Sequence, residues 1–213
     1  MRTHLYLITP VITDPAAFRP QLAAALAAAK ISVVLMRFAS TDETDIKRQV
    51  KAFSALVQDA GAALLIEGGG DARLAARAGA DGVHMVGLGG LPDALESLRP
   101  DRTVGVSGLK TRDDCMEAGE LDVDYLMFGE PKPDGYVPPL EQTVERCQWW
   151  AELFQIPCVG YAQTIADVAA IAATGAEFVA LGDALWGHQQ GIEAAMADVA
   201  KRLAEGSALS PRA

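Results

Sequence analysis

Gly79-Ala80-Asp81-Gly82-Val83 is echoed further on by Gly175-Ala176-Glu177-Phe178-Val179. Each phrase follows an Ala-rich stretch of helical character, 72–78 and 165–174, and opens a β-branched run. A glycine placed there ends a helix in the left-handed conformation, and the acid begins the turn into a buried strand. The copies stand four strand-plus-helix units apart, so the phrase punctuates a repeating β/α pattern.

Extending the pattern in both directions predicts eight short β-type runs: Leu5–Thr9, Ser32–Arg37, Ala63–Glu67, Gly82–Val86, Thr103–Ser107, Tyr125–Gly129, Pro157–Tyr161 and Phe178–Gly182. Most are continuously apolar, as strands covered on both faces must be. Between them lie amphipathic segments predicted as helices: Ala16–Ala29, Glu43–Ala60, Ala72–Ala78, Pro92–Leu98, Arg112–Ala118, Leu140–Phe154, Ile165–Thr174 and Ala184–Ala204. Alternation of this kind implies parallel pairing with right-handed crossovers. An open doubly wound sheet satisfies it too, but eight units in about 200 residues favour closure. The expectation is one α/β domain over residues 1–205, a (β/α)8 TIM barrel, with a frayed tail over 206–213.

Bulk properties narrow the function. Half of the 213 residues are hydrophobic, enough for a large core, and no run approaches the roughly 18 apolar residues of a membrane span. A strand beginning within the first few residues leaves no room for a signal peptide, which points to the cytoplasm. A net charge of −10 argues against nucleic-acid binding but leaves room for a small phosphorylated ligand in a local backbone nest. Cys115, Cys147 and Cys158 are odd in number and lack metal-type spacing, so they read as reduced, the first two on helices and the third in the core. Low charge and alanine-rich helices are compatible with a homodimer.

In such barrels active sites use the carboxyl ends of the strands. Thr9, Arg37, Glu67, Ser107, Glu130, Lys132 and Asp183 fall there, as does the glycine run Gly68-Gly69-Gly70. Arg37 ends an apolar strand, so its charge needs a partner: Glu67 or Asp183 structurally, an anion functionally. Gly160, Gln163, Gly182 and Asp183 follow the last two strands, where barrels often hold phosphate against backbone N–H groups. Asp183 also suits a helix cap, which repels an anion. Gly69 and Gly70 either meet a ligand or make a tight connection. His84 within an apolar strand reads first as a satisfied core residue. Trp149-Trp150 reads as packing or a subunit contact, and the Pro-rich loop 130–139 as a candidate lid or a rigid connection.

The motifs Leu5-Tyr6-Leu7-Ile8-Thr9, Ala75 to His84, Gly105-Val106-Ser107, Asp124 to Gly129, Ile156-Pro157 and Gly175-Ala176 resemble, in the same order, the thiamine phosphate synthase and thiazole tautomerase family. The resemblance implies a barrel, commonly dimeric, that joins hydroxymethylpyrimidine diphosphate to a thiazole phosphate. It implies a dissociative reaction in which magnesium and basic side chains stabilise the departing diphosphate. By the same resemblance Arg37, Ser107 and Lys132 are the catalytic candidates. The family's two magnesium aspartates align with Gly70 and Gly89, its Asn and Arg beside the first with Gly69 and Asp71, and its phosphate-binding Gly-Gly with Ala162-Gln163. Its glutamine and lysine flanking the strand-two arginine align with Leu35 and Ala39, and the tautomerase histidine with Leu109. The expected cofactor set is therefore none, with magnesium usual for the family, unless Glu67, Asp71 or Asp183 rebuild a metal site. The alternatives are a metal-independent activity on another phosphorylated small molecule, or a non-catalytic ligand-binding or regulatory protein.

Overall fold

In a computed structural model that describes residues 3–68, 71–132 and 134–210, the chain closes on itself as a barrel of eight parallel strands in sequence order. The strands are β1 (His4–Ile12), β2 (Ile31–Phe38), β3 (Ala63–Glu67), β4 (Gly82–Val86), β5 (Thr103–Ser107), β6 (Tyr125–Phe128), β7 (Cys158–Ala162) and β8 (Phe178–Leu181). The outer layer consists of α1 (Pro15–Ala28), α2 (Glu43–Gln58), α3 (Leu74–Ala78), α4 (Leu91–Leu98), α5 (Arg112–Glu120), α6 (Leu140–Leu153), α7 (Val168–Ala172), α8 (Asp183–Trp186) and α9 (Ile192–Leu209). β8 returns to pair with β1, Leu5 opposite Val179, and this pairing removes both sheet edges.

The period-2 pleat divides each apolar run between two cores. Tyr6, Ile8, Leu35, Leu65, Tyr125, Met127, Val159, Tyr161 and Ala180 fill the barrel interior. Their neighbours in sequence, such as Leu5, Leu7, Val34, Leu64 and Leu126, pack against the helices. Continuously apolar strands are the result, as the sequence predicts.

The repeated phrase has a mechanical role as well. Gly79 stands at φ +83° and Gly175 at +91°, where a side chain is strained. The acid that follows then reaches back to the preceding strand. Asp81 accepts a hydrogen bond from Leu64 N at 2.7 Å, and Glu177 accepts one from Cys158 N at 2.9 Å. Asp124, ahead of β6, does the same for Val104 N at 2.7 Å. At β4, β6 and β8 a carboxylate thus satisfies a backbone donor at the foot of the neighbouring strand.

Three boundaries differ from the sequence reading. β1 continues past Thr9 to Ile12, because a register shift between Ile8 and Val11 lets Val11 pair with Arg37. The single helix expected over Ala184–Ala204 is broken into α8 and α9 by Gly187 and by Gly191, whose φ is +85°. α9 then runs on to Leu209, so residues 206–209, expected in a frayed tail, are helical. Gly206 is why: a Cβ there would lie 2.2 Å from Ala169 O, so only glycine lets α9 lie this close to α7. The cysteines are buried, Cys115 on α5, Cys147 on α6 and Cys158 on β7, and burial pushes the Cys115 thiol up to about 11. Trp150 is a core residue stacked on Phe154 at 4.0 Å, its indole N–H bonded to Ile156 O, while Trp149 lies under the Arg112 guanidinium.

Candidate functional site

Arg37 sits near the end of β2 beside the fully buried Thr9 of β1. Its backbone N–H donates to Thr9 Oγ1 at 3.0 Å and its Nε donates to Thr9 O at 2.8 Å. One residue therefore fixes both strand register and guanidinium direction. The remaining guanidinium edge turns toward Asp183, with Nη2 3.7 Å from Oδ1. Asp183 is mostly solvent-exposed, so this pair is weak and leaves the arginine largely available.

Two further carboxylates face this arginine. Glu67 ends β3 on the rim; withdrawal from solvent raises its carboxyl above the ordinary value, with Arg37 and His84 opposing and Glu130 adding to the rise. Glu130 follows β6, its side chain only 17 % exposed. Burial works to raise Glu130 too, but His84, Ser107 and Arg37 outweigh it and hold the carboxyl below its ordinary value. The two acids are thereby set apart, Glu67 toward the protonated form and Glu130 toward the ionised one.

Beneath them lies a row of buried polar side chains. His84 Nδ1 is 2.7 Å from the Tyr125 hydroxyl, which is 2.8 Å from that of Tyr6. His84 Nε2 has no hydrogen bond and lies 3.7 Å from Glu130 Oε2. Ser107 Oγ, at the end of β5, is likewise buried without a hydrogen bond of ordinary geometry, although it stands close enough to Glu130 to lower its carboxyl. His84 is thus only half satisfied, where the sequence suggested an ordinary core histidine. Burial pushes both tyrosines far above the usual phenol range, so they act as neutral hydroxyls.

Lys132 stands apart from Arg37. Its loop is a tight turn, with Lys132 N donating to Tyr136 O at 2.8 Å and Gly135 N to Lys132 O at 2.9 Å. Its ammonium lies over the Tyr136 ring. With Lys110, Glu130, Gln142 and Arg146 it lines a cavity of about 390 Å³ between the loops that follow β5 and β6. Arg146 ties the loop after β5 to α6 by donating to Leu109 O and Lys110 O. Neither Arg37 nor Ser107 nor Asp183 lines that cavity; Glu130 lines it and also faces Arg37, joining the two halves.

The other sequence candidates scatter. Gly69 and Gly70 lie outside the described residues. Gly160 faces the helical layer, where an added Cβ would meet Ile171 and Cys147 Sγ. Gln163 donates to Gly129 O at 2.6 Å and thereby links the loops after β6 and β7. Gly182 lies against Tyr161, whose hydroxyl would sit 2.6 Å from a Cβ there. Around the mouth, the structure brings together Arg37, Asp183, Ser107 and Glu130. Tyr6 and Tyr125 escape the sequence reading. The signal for Tyr125 is its cross-strand partner, Gly105, because a Cβ there would lie 2.0 Å from the tyrosine ring.

Comparison with known proteins fits this picture. The family model for thiamine monophosphate synthase matches residues 5–185. The thiamine-phosphate synthase of Rhodospirillum centenum is 38 % identical over 198 residues, covering 91 % of this chain and 94 % of that protein. That of Hyphomonas neptunium is 33 % identical over 207 residues, covering 92 % and 91 %. Among solved structures, a thiamine phosphate pyrophosphorylase from Pyrococcus furiosus superposes with a TM-score of 0.77 at 21 % identity, over 95 % of this chain and 96 % of that one. A 3-hexulose-6-phosphate synthase reaches 0.70 at 17 % identity, over 92 % and 98 %. At such identities the structural likeness speaks for the fold. The family match and the identity to the synthases go further: the chain belongs to the thiamine monophosphate synthase family.

Proposed function

We propose that this protein is a transferase of thiamine-phosphate synthase type, joining hydroxymethylpyrimidine diphosphate to a thiazole phosphate with release of diphosphate. The observation that carries the reading is Arg37, held at two points by Thr9 and aimed into the barrel mouth of a family member. Negative charge grows on a departing diphosphate, so fixed cationic donors lower the barrier without reorganising. Arg37 supplies a planar donor edge, and a phosphate oxygen displaces Asp183 from it. Lys132, on the neighbouring cavity, supplies a mobile point charge. Ser107 offers a buried hydroxyl beside Glu130.

Magnesium does not fit the residues present. Gly70 and Gly89 supply no side chain, and among the described residues no group of three or more His, Cys, Asp or Glu could hold a metal ion. Of the three acids that could rebuild a site, Glu67 is pushed toward its neutral form, Asp71 is paired with Arg77 and Asp183 faces a guanidinium. No step is therefore assigned to a metal. The same acids favour a second reading, in which the mouth acts on, or merely binds, a different phosphorylated small molecule. Incubation with the two precursors separates the readings: thiamine phosphate forms under the first, whereas under the second none forms and other phosphorylated heterocycles are bound or turned over instead.

A further inference from the structure

We infer that Tyr6 and Tyr125 are positioning residues that hold His84 as its Nε2–H tautomer, so that an imidazole N–H, and not a lone pair, faces Glu130 over the cavity beside Lys132. This holds whichever reaction the cavity hosts.

Hydrogen-bond direction in a buried row cannot be chosen one bond at a time. Tyr6 is fully buried, and among the described residues its hydroxyl is bonded to Tyr125 alone. To have an acceptor, its proton must point at the Tyr125 oxygen. Tyr125 then donates its own proton to His84 Nδ1, 2.7 Å away. Nδ1 accepts, so the ring's proton sits on Nε2, facing the Glu130 carboxylate at 3.7 Å. Both tyrosine protons are then matched, and the imidazole N–H is directed toward an anion 3.7 Å away. The reverse order fails at both ends: Tyr6 would be left with a buried, unmatched O–H, and the Nε2 lone pair would confront a carboxylate.

The fold is cut to admit this row. Gly105 on β5 leaves the space that the Tyr125 ring occupies, and the Tyr125 and His84 rings lie nearly parallel, 5.7 Å apart and 22° from coplanar. The charged groups that face His84 and Glu130 come from neighbouring strands: Glu67 from β3 and Arg37 from β2, with the Ser107 hydroxyl from β5. Glu130 is the member of the row that reaches the cavity. With an imidazole N–H facing its inner flank from 3.7 Å, its carboxylate keeps its outer lone pairs for a ligand N–H or a cationic group.

Nitrogen-15 NMR of the full chain tests the tautomer directly. His4 and His188 are replaced by Gln, which leaves His84 as the sole ring observed. At pH 7.5 the expected spectrum shows a protonated Nε2 and a pyridine-like Nδ1. In Tyr125→Phe the Nδ1 acceptor bond is lost, and the two nitrogens are expected to move toward a tautomeric average. A protonated Nδ1, or two protonated nitrogens, in the parent protein overturns the inference. So does an unchanged spectrum in a folded Tyr125→Phe. Should that variant not fold, the parent spectrum stands as a test by itself. No substrate is needed, so failure here is distinct from failure of the synthase reading.

Discussion

Arg37 owes its direction to Thr9, and this pairing separates it from an ordinary rim arginine. Replacing it with Ala removes a charge-assisted hydrogen-bonding group. The affinity for inorganic diphosphate should fall by about 1.5–3 kcal/mol, measured by titration calorimetry. Equal affinity in the two proteins would remove Arg37 from the site. Glu67 makes a prediction about pH. Its carboxyl is raised by loss of solvent, so the folded state binds its proton more tightly than the unfolded state does. The stability it contributes is present below the ordinary carboxylate value and is lost as pH rises through the raised one. Glu67→Gln, which mimics the protonated form, should therefore be slightly more stable than the parent at pH 7, by less than about 1 kcal/mol for a group still touching water, and no more stable at pH 4. Urea melts at the two pH values check this. At this scale the sequence was partly legible. Arg37, Ser107 and Glu130 could be placed on strand ends by counting. That Glu130 and His84 face each other could not, since they come from β4 and the loop after β6, two strands apart, and meet only across β5 on the curved inner face of the sheet.

Among elements, the Gly-Ala-acid phrase shows why this fold is readable. The glycine ends a helix, the acid fastens the foot of a strand, and both acts are local enough to leave a mark in the chain. Asp81→Ala leaves the Leu64 N–H without its carboxylate partner and should cost about 1–3 kcal/mol in chemical denaturation. Asp81→Asn keeps an acceptor oxygen and should recover most of that loss. Equal stability of Asp81→Ala and the parent would show that the carboxylate is dispensable there. The third acid, Asp124, serves the same end without the Gly-Ala prefix, since α5 ends in Leu121-Asp122 with Asp122 itself at φ +62°. A motif search misses it, although its physics is the same. The division of the last helix into α8 and α9 was written in Gly187 and Gly191, but amphipathic periodicity runs across the gap and conceals it. Trp186 holds the short α8 in place by donating to Ile8 O at 2.7 Å.

Over the whole molecule, two concentric cores meet at one sheet, and each strand contributes to both. Val83 on β4 is buried in the outer core, 1 % exposed. Val83→Asp places an unpaired charge there and should cost more than about 3 kcal/mol, seen as loss of soluble protein on expression. A soluble, cooperatively folded variant would contradict the strand assignment. The barrel was legible because its alternation is periodic and long; the site was less so, because its members come from different strands and loops and share no sequence spacing. The central claim concerns what that site does. Purified protein is incubated with hydroxymethylpyrimidine diphosphate and thiazole phosphate, with and without added magnesium, and thiamine phosphate is measured by its fluorescence after oxidation. The expected result is product formation that falls at least tenfold in Arg37→Ala; the absence of thiamine phosphate under both conditions, from protein shown to be folded, would contradict the claim.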